Sequence, residues 1–224
     1  MYAESTLLGA RLAVPRVTER ERVETRMPKR AKSSYHHGDL RASLISTAMG
    51  MLERGEPFSI RAVARAAGVS AAAPYRHFRE REALESALAA EGLRNLKDDL
   101  LRNRSLPTTL DELAEFGVAY VEFALRRPAL FRLMFGNECE TDDPERVQAA
   151  AEIHELLASA VMGPFPDSEP RDLALGGWAV VHGLAFLYLE RKLPAESIED
   201  AAQQVRASLI AVFAAQSRAE AGVS

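Results

Sequence analysis

The stretch Ser59-Ile60-Arg61-Ala62-Val63-Ala64-Arg65-Ala66-Ala67-Gly68-Val69-Ser70-Ala71-Ala72-Ala73-Pro74-Tyr75-Arg76-His77-Phe78 decides the fold. Ser59 is of the type that caps a helix N-terminus, and Ile60, Val63, Ala64 and Ala67 recur at the spacing of one helical face. Gly68 ends that helix, because it adopts a left-handed conformation that a side chain resists. Ser70 opens a second short helix reaching Arg76, and Phe78 closes it. A positioning helix, a tight turn and a second helix that enters a major groove about 12 Å wide are the parts of a helix-turn-helix. The start of the second helix, Ser70 to Ala73, presents free N–H groups and the positive end of a helix dipole, both suited to phosphate. Its small side chains permit close approach and contact with thymine methyls, but none is a bidentate base reader.

Upstream, Leu40, Leu44, Ala48 and Leu52 recur every four residues, and Gly55 and Pro57 follow where a helix should stop. The helix-turn-helix unit therefore spans Asp39–Phe78. Downstream, Leu84, Leu88 and Leu96 mark a longer helix to about Leu101, and Asn103–Pro107 reads as a domain boundary. Thr108 or Thr109 caps a helix over Leu110–Arg127. A short apolar helix, Pro128–Phe135, and an acidic loop, Gly136–Pro144, come next. Three more helices are expected, over Glu145–Met162, Arg171–Arg191 and Pro194–Gln216. No alternating run is long enough for a strand, so the chain reads as all-α. Residues 1–34 read as a disordered basic lead-in, 35–101 as a DNA-binding domain and 107–217 as a helical effector-binding and dimerisation domain. Met27, followed by Pro-Lys-Arg-Ala-Lys, is a second candidate start of translation.

The net charge of −4 hides a strong asymmetry. Residues 28–81 hold ten basic against four acidic side chains, whereas residues 82–224 hold 13 against 24. A basic module that faces nucleic acid is joined to an acidic one with another task. The single cysteine, Cys139, excludes a disulfide framework within the chain. It sits beside Glu138 and Glu140, whose charge discourages a thiolate. No apolar run approaches the ~20 residues of a membrane span. Leu125–Phe135 is broken by Arg126, Arg127 and Pro128, and Gly176–Leu189 by His182. With no apolar signal-peptide core at the N-terminus, the expectation that fits these features is a cytoplasmic protein.

The run Ser59 to Phe78, with Arg81-Glu82-Ala83-Leu84 after it, resembles the DNA-binding domain of the TetR family of regulators. The resemblance covers about Tyr35 to Leu101. It implies that Tyr75 and His77 reach DNA phosphates, that Ala71, Ala72 and Ala73 face the groove, and that Arg81 and Ser59 anchor further phosphates. Pro74 departs from the family's usual Leu or Val and disfavours helix at Ala73. Glu80 replaces a better capping residue. With so plain a recognition helix, readout shifts to Arg76, the arm Lys29, Arg30 and Lys32, and DNA shape, while Arg61 and Ser70 complete the candidate DNA-binding residues.

In the second module the helix from Leu110 is apolar nearly all round, with Leu113, Gly117, Val121 and Ala124 on one face and Phe116, Tyr120 and Phe123 on another. Such a helix lies centrally. Phe131, Met134 and Phe135 follow, His154 is placed on an inner face, and Trp178 and His182 stand one turn apart. Together Phe116, Tyr120, Phe131, Met134, Phe135, His154, Trp178 and His182 suit a ligand cavity with a few polar handles; equally, aromatics at this spacing form plain core. Trp178-Ala-Val-Val-His182-Gly183 resembles the tryptophan–histidine–glycine signature of one TetR C-terminal subfamily. The resemblance implies a homodimer through a four-helix bundle of the last two helices, here with Gly176, Gly177 and Gly183 allowing close approach and Leu184, Leu187, Val205, Leu209 and Phe213 supplying apolar area.

The sequence thus points to a transcriptional regulator, a repressor of a near-palindromic double-stranded operator released by a small hydrophobic ligand. Two other readings compete with it. An all-α enzyme would need more than His154 and His182, around which no nucleophile or metal set is evident. A non-specific architectural DNA binder would suit the alanine-rich recognition helix but leaves the acidic module without a purpose. No cofactor motif is present. The adjacent His36 and His37 have no partner cluster for a metal and read as part of the arm.

Overall fold

In a computed structural model the described residues are 37–57, 59–136 and 143–221, and among them only helices and connecting turns occur. The arm residues Lys29, Arg30 and Lys32, the rest of the lead-in 1–34, and Cys139 lie outside the described residues. Tyr35–Ser224 forms one compact unit.

The first three elements build the helix-turn-helix. Helix α1 (His37–Glu53) starts two residues before Asp39, which therefore sits in the first turn rather than capping it. Gly55, at φ 68°, closes α1 through Gly55 N to Leu52 O (3.0 Å) and Glu56 N to Met51 O (2.9 Å). Helix α2 (Ile60–Ala66) is capped by Ser59, whose hydroxyl accepts from Ala62 N at 3.2 Å. Gly68, at φ 70°, ends α2 with the same pair of bonds, Gly68 N to Arg65 O and Val69 N to Ala64 O. The third element corrects the expected three-α-helix head. Pro74 has no N–H to give the Ser70 carbonyl, which accepts instead from Ala73 N at 3.0 Å. Arg76 N and His77 N also bond three residues back, so only Pro74–Arg76 is regular, as a 3-10 turn. Phe78 is buried and anchors this turn to the core.

Helix α3 (Arg81–Leu101) begins at Glu80, whose side chain makes no cap bond. It packs on α1 at one end and on the rest of the protein along its length. Helix α4 (Leu110–Arg126) is capped by Thr109 at Glu112 N (3.2 Å), while Glu112 accepts back from Thr108 N at 2.7 Å. Around it lie α3, α5 (Pro128–Phe135), α7 (Pro170–Leu189) and α8 (Ile198–Ala221), with α6 (Pro144–Met162) between α3 and α7. Proline stands at the first helical position of α5, α6 and α7, where its missing N–H costs nothing. Helix α8 starts four residues later than Pro194, because Ser197 caps it by accepting from Asp200 N at 3.1 Å.

Two expectations change here. The sequence assigns Val205, Leu209 and Phe213 to a surface between subunits, but all three are buried within the chain. Their face of α8 is turned to α4, whose Gly117 admits Leu209, and to Phe165, whose ring lies 5.5 Å from that of Phe213. The exposed apolar stripe belongs to α7 instead: Leu175 (60% exposed), Ala179, Gly183 and Leu187 (41%) follow one another at four-residue steps, with Gly176 beside them. Helix α7 is also, by length and composition, long and apolar enough to cross a membrane, contrary to the expectation that His182 breaks the apolar run. One side of α7 packs on α4 and α6, and the stripe is what remains outside.

Gly117→Ala tests the centre of this packing. An added Cβ would overlap Leu209 Cδ1 and lie 3.0 Å from Val181 Cγ1, at the junction of three helices. Urea unfolding should show a loss of about 1–3 kcal/mol, the range for overpacked cores.

Candidate functional site

The loop and turn from Ser59 to Arg81 put a basic surface on one end of the unit. Ser59, Arg61, Ser70, Ala71, Ala72, Arg76 and Arg81 are exposed, Tyr75 is 46% exposed, and Ala73 is half-buried. Arg81 pairs with Glu85 at 2.7 Å and still keeps most of its guanidinium outside. His77 is placed differently from the other implied phosphate ligands. Its ring is half-buried, and Nε2 is enclosed with no hydrogen-bond partner among the described residues. Only Nδ1 is left to reach outward. Two further cations share the surface and were not singled out from the sequence: Arg65 and Arg79 are exposed and, like Arg61 and Arg76, form no ion pair among the described residues. The signal that identifies them is tertiary, since neither lies on the recognition turn.

Three ion pairs tie this end to the rest. Arg127, after α4, meets Glu53 of α1 at 2.5 Å; Glu145, in the first turn of α6, meets Arg41 of α1 at 2.9 Å and Arg94 of α3 at 3.6 Å. All are partly solvated, so each contributes at most about 1 kcal/mol. Their value is positional, because they join elements far apart in sequence.

The second candidate site lies around Tyr120 on α4. The Tyr120 hydroxyl accepts from Trp178 Nε1 at 3.1 Å and lies 2.9 Å from His182 Nδ1. With Trp178 donating, the Tyr120 proton is directed to His182 Nδ1, which fixes His182 as the Nε2–H tautomer. Burial drives the Tyr120 pKa well above the usual tyrosine range and holds His182 below its ordinary 6.5. Around His182 the rings are packed against one another: Phe135 at 4.7 Å, Phe186 at 4.9 Å and Phe131 at 5.6 Å between centroids.

The structure thus divides the eight candidate ligand residues. Phe116, Tyr120 and Trp178 line a cavity of about 40 Å³ between α3, α4, α6, α7 and α8. Phe131, Phe135 and His182 form the packed aromatic cluster beyond Tyr120, and Met134 packs on Gly92 of α3. His154 is exposed rather than inward; its ring meets the edge of Trp178 at 5.2 Å on the outer side of that indole. Position along a helix gave the right elements, but which side of α6 faces inward was set by its packing between α3 and α7. Among the described residues no three His, Cys, Asp or Glu side chains converge as a metal set.

Two family models match the chain. Residues 45–88 match bacterial regulatory proteins of the tetR family, and residues 113–213 match the tetracyclin repressor-like C-terminal domain. The chain belongs to the TetR family of transcriptional regulators. A solved protein of unknown function from Rhodococcus sp. RHA1 is 31% identical, over 80% of this chain and 97% of that one, with a TM-score of 0.66. The TetR family transcriptional regulator PfmR from Thermus thermophilus shares the fold at 20% identity, over 74% of this chain and 94% of its own, with a TM-score of 0.51. No curated protein matches the chain. As a TetR-family member it is a DNA-binding transcriptional regulator, and the N-terminal match contains the whole α2–turn unit whose surface is described above.

The state of His182 sets a pH dependence. The unfolded chain takes up a proton at His182 at higher pH than the folded protein, whose pKa there is depressed. The contribution to stability is therefore complete above the unfolded value and is lost as pH falls through it toward the folded value. Urea unfolding between about pH 7 and pH 5 should show falling stability, with a shallower fall in His182→Asn. An equal slope in both proteins would remove His182 from the cause.

Proposed function

We propose that this regulator is a homodimeric repressor whose two helix-turn-helix units occupy a near-palindromic operator, and that a small hydrophobic ligand in the helical body releases it. The observation that carries the reading is the exposed basic surface of Arg61, Arg65, Arg76 and Arg79, which form no ion pair among the described residues, around the exposed Tyr75. Side chains there reach phosphates, and the N-termini of α2 and α3 present Ser59 and Arg81 to the same backbone. His77 contributes through Nδ1. Residues 35–101 act as the DNA-binding part and 107–217 as the effector-binding and dimerising part, while the arm Lys29, Arg30 and Lys32 adds contacts. Repression requires nothing more than occupancy of the operator, and the likeness to a tetracyclin repressor-like C-terminal domain supports that sign.

Two recognition units on a B-form site must stand roughly 34–36 Å apart, which calls for a dimer. The α7 stripe supports the interface: Gly176, Ala179 and Gly183 let a second α7 approach closely, and Leu175 and Leu187 bury on contact. Leu184 contributes from the edge of the stripe. The ligand acts by favouring one spacing of the two heads, through α3 and the ion pairs that reach α1. Such a protein works on DNA in the cytoplasm and needs no cofactor.

Two variants test this reading. Tyr75→Ala should weaken gel shifts of the chain's own upstream DNA about as much as it weakens binding to unrelated DNA, since a phosphate contact carries no sequence information. A change of sequence preference at unchanged affinity would reassign Tyr75 to base reading. No preference for any operator in the unaltered protein would favour an architectural binder. Leu175→Glu places a charge on the α7 stripe; light scattering should find a monomer, and the specific shift should disappear with it. A dimer that survives this change would place the interface elsewhere.

A further inference from the structure

The wall of the cavity between α3, α4, α6, α7 and α8 has no hydrogen-bond donor to spare. Among its lining side chains only Tyr120 and Trp178 carry polar atoms, and these are bonded to each other and to His182. A water needs two to four polar partners to be held, so a void of about 40 Å³ with such walls stays dry although it has room for about three waters. Its small size has a local cause: the space beside Gly117 and Gly177 is taken by Leu209 and Phe213, so little room remains next to Ala160 and Ala174.

Trp178 is the partition of this slot. One face of the indole lines the cavity; the indole also lines two grooves on the protein surface. The larger, about 820 Å³, runs between α6 and α7 and mixes an apolar floor of Leu157, Ala174 and Leu175 with a polar rim of His154, Glu155 and Arg171. Ala174, Leu157 and Trp178 belong to both cavity and groove, so the two spaces are separated by these three residues, of which Trp178 is the largest.

We infer that the cavity takes the unbranched hydrocarbon tail of an amphiphile, whose head group stays in the α6–α7 groove, and that the tail enters by displacing the Trp178 indole from Tyr120. This rests on the ligand-released reading above and specifies the ligand. A tail must be apolar because the wall offers no donor to a polar guest. It must be slender because the cavity is only about 40 Å³, against roughly 300–1,000 Å³ for sites that take bulkier molecules. A head is required because the route to the cavity passes a rim of charged and polar side chains. Displacing the indole exposes Tyr120 and joins cavity to groove, so the site is complete only when occupied.

Trp178 is the only tryptophan in the chain, so its emission reports on this site alone. The full-length protein is titrated with 1-hexanol, 1-octanol, octanoate and benzyl alcohol below their aggregation limits. A saturable change in Trp178 emission is expected. Affinity should rise about fourfold per methylene, or roughly 15-fold from hexanol to octanol, the factor expected for each buried CH2. Octanol and octanoate should bind within tenfold of one another, since the head lies in the open, solvated groove, whose rim carries both Glu155 and Arg171, and benzyl alcohol much more weakly. Ala160→Leu fills the slot and should weaken octanol at least tenfold; Ala174→Val is the milder filling should that variant not fold. Unchanged Trp178 emission, indifference to chain length, a 100-fold preference for one head, or octanol affinity unaltered in the filled variants would each overturn the inference. A gel shift on the same samples separates the two claims. Release of DNA by octanol that persists undiminished in Ala160→Leu overturns the tail site and leaves ligand release standing. Cavity-dependent octanol binding with an unaltered gel shift supports the tail site and counts against ligand release.

Discussion

Helix α4 is apolar on almost every face, and an α-helix of that kind has no stable place at a surface. Phe116, Val118, Tyr120, Val121 and Phe123 are all buried, each contributing about 1.5–3 kcal/mol of transfer free energy. Enclosing them takes α3, α5, α7 and α8, which is why four helices surround α4. The enclosure also buries the Tyr120 hydroxyl, and an unpartnered hydroxyl there would cost about 1–3 kcal/mol. Trp178 and His182, one turn apart on α7, supply both of its partners. The tryptophan–histidine spacing is thus explained by one buried oxygen on a neighbouring helix.

The proposed release by a ligand would need a physical connection between the body and the DNA-binding end. Helix α3 starts in the basic surface at Arg81 and ends beside the slot at Leu100, so one rigid element borders both sites. The ends of α4 and α6 add Arg127–Glu53 and Glu145–Arg41. Individually weak in solvent, these pairs depend on the relative placement of α1, α4 and α6. A shift of α6 away from α7 at Trp178 would be felt at Glu145, because both ends of the movement lie on the same helix. Coupling of this kind needs only a few kcal/mol of preference between two arrangements.

The DNA-facing surface is shaped by what it lacks. Ala71 and Ala72 carry no base-reading group, and Pro74 reduces the recognition element to a 3-10 turn. Exposed cations and Tyr75 dominate what remains.

The sequence determined much by itself. Caps, prolines and glycines are local signals, so Ser59, Gly55, Gly68 and Pro128 marked helix ends that the structure reproduces, and of Thr108 and Thr109 the structure selects Thr109 as the cap. The central place of α4 was legible too, since apolarity all round leaves a helix nowhere else to go. What only tertiary structure decided was direction. Val205, Leu209 and Phe213 look inward and the α7 stripe outward, though both helices are apolar, because burial depends on which face meets α4. His154 is outside and His77 Nε2 inside for the same reason. Periodicity tells which residues share a face; only the packing of other helices tells which way that face points.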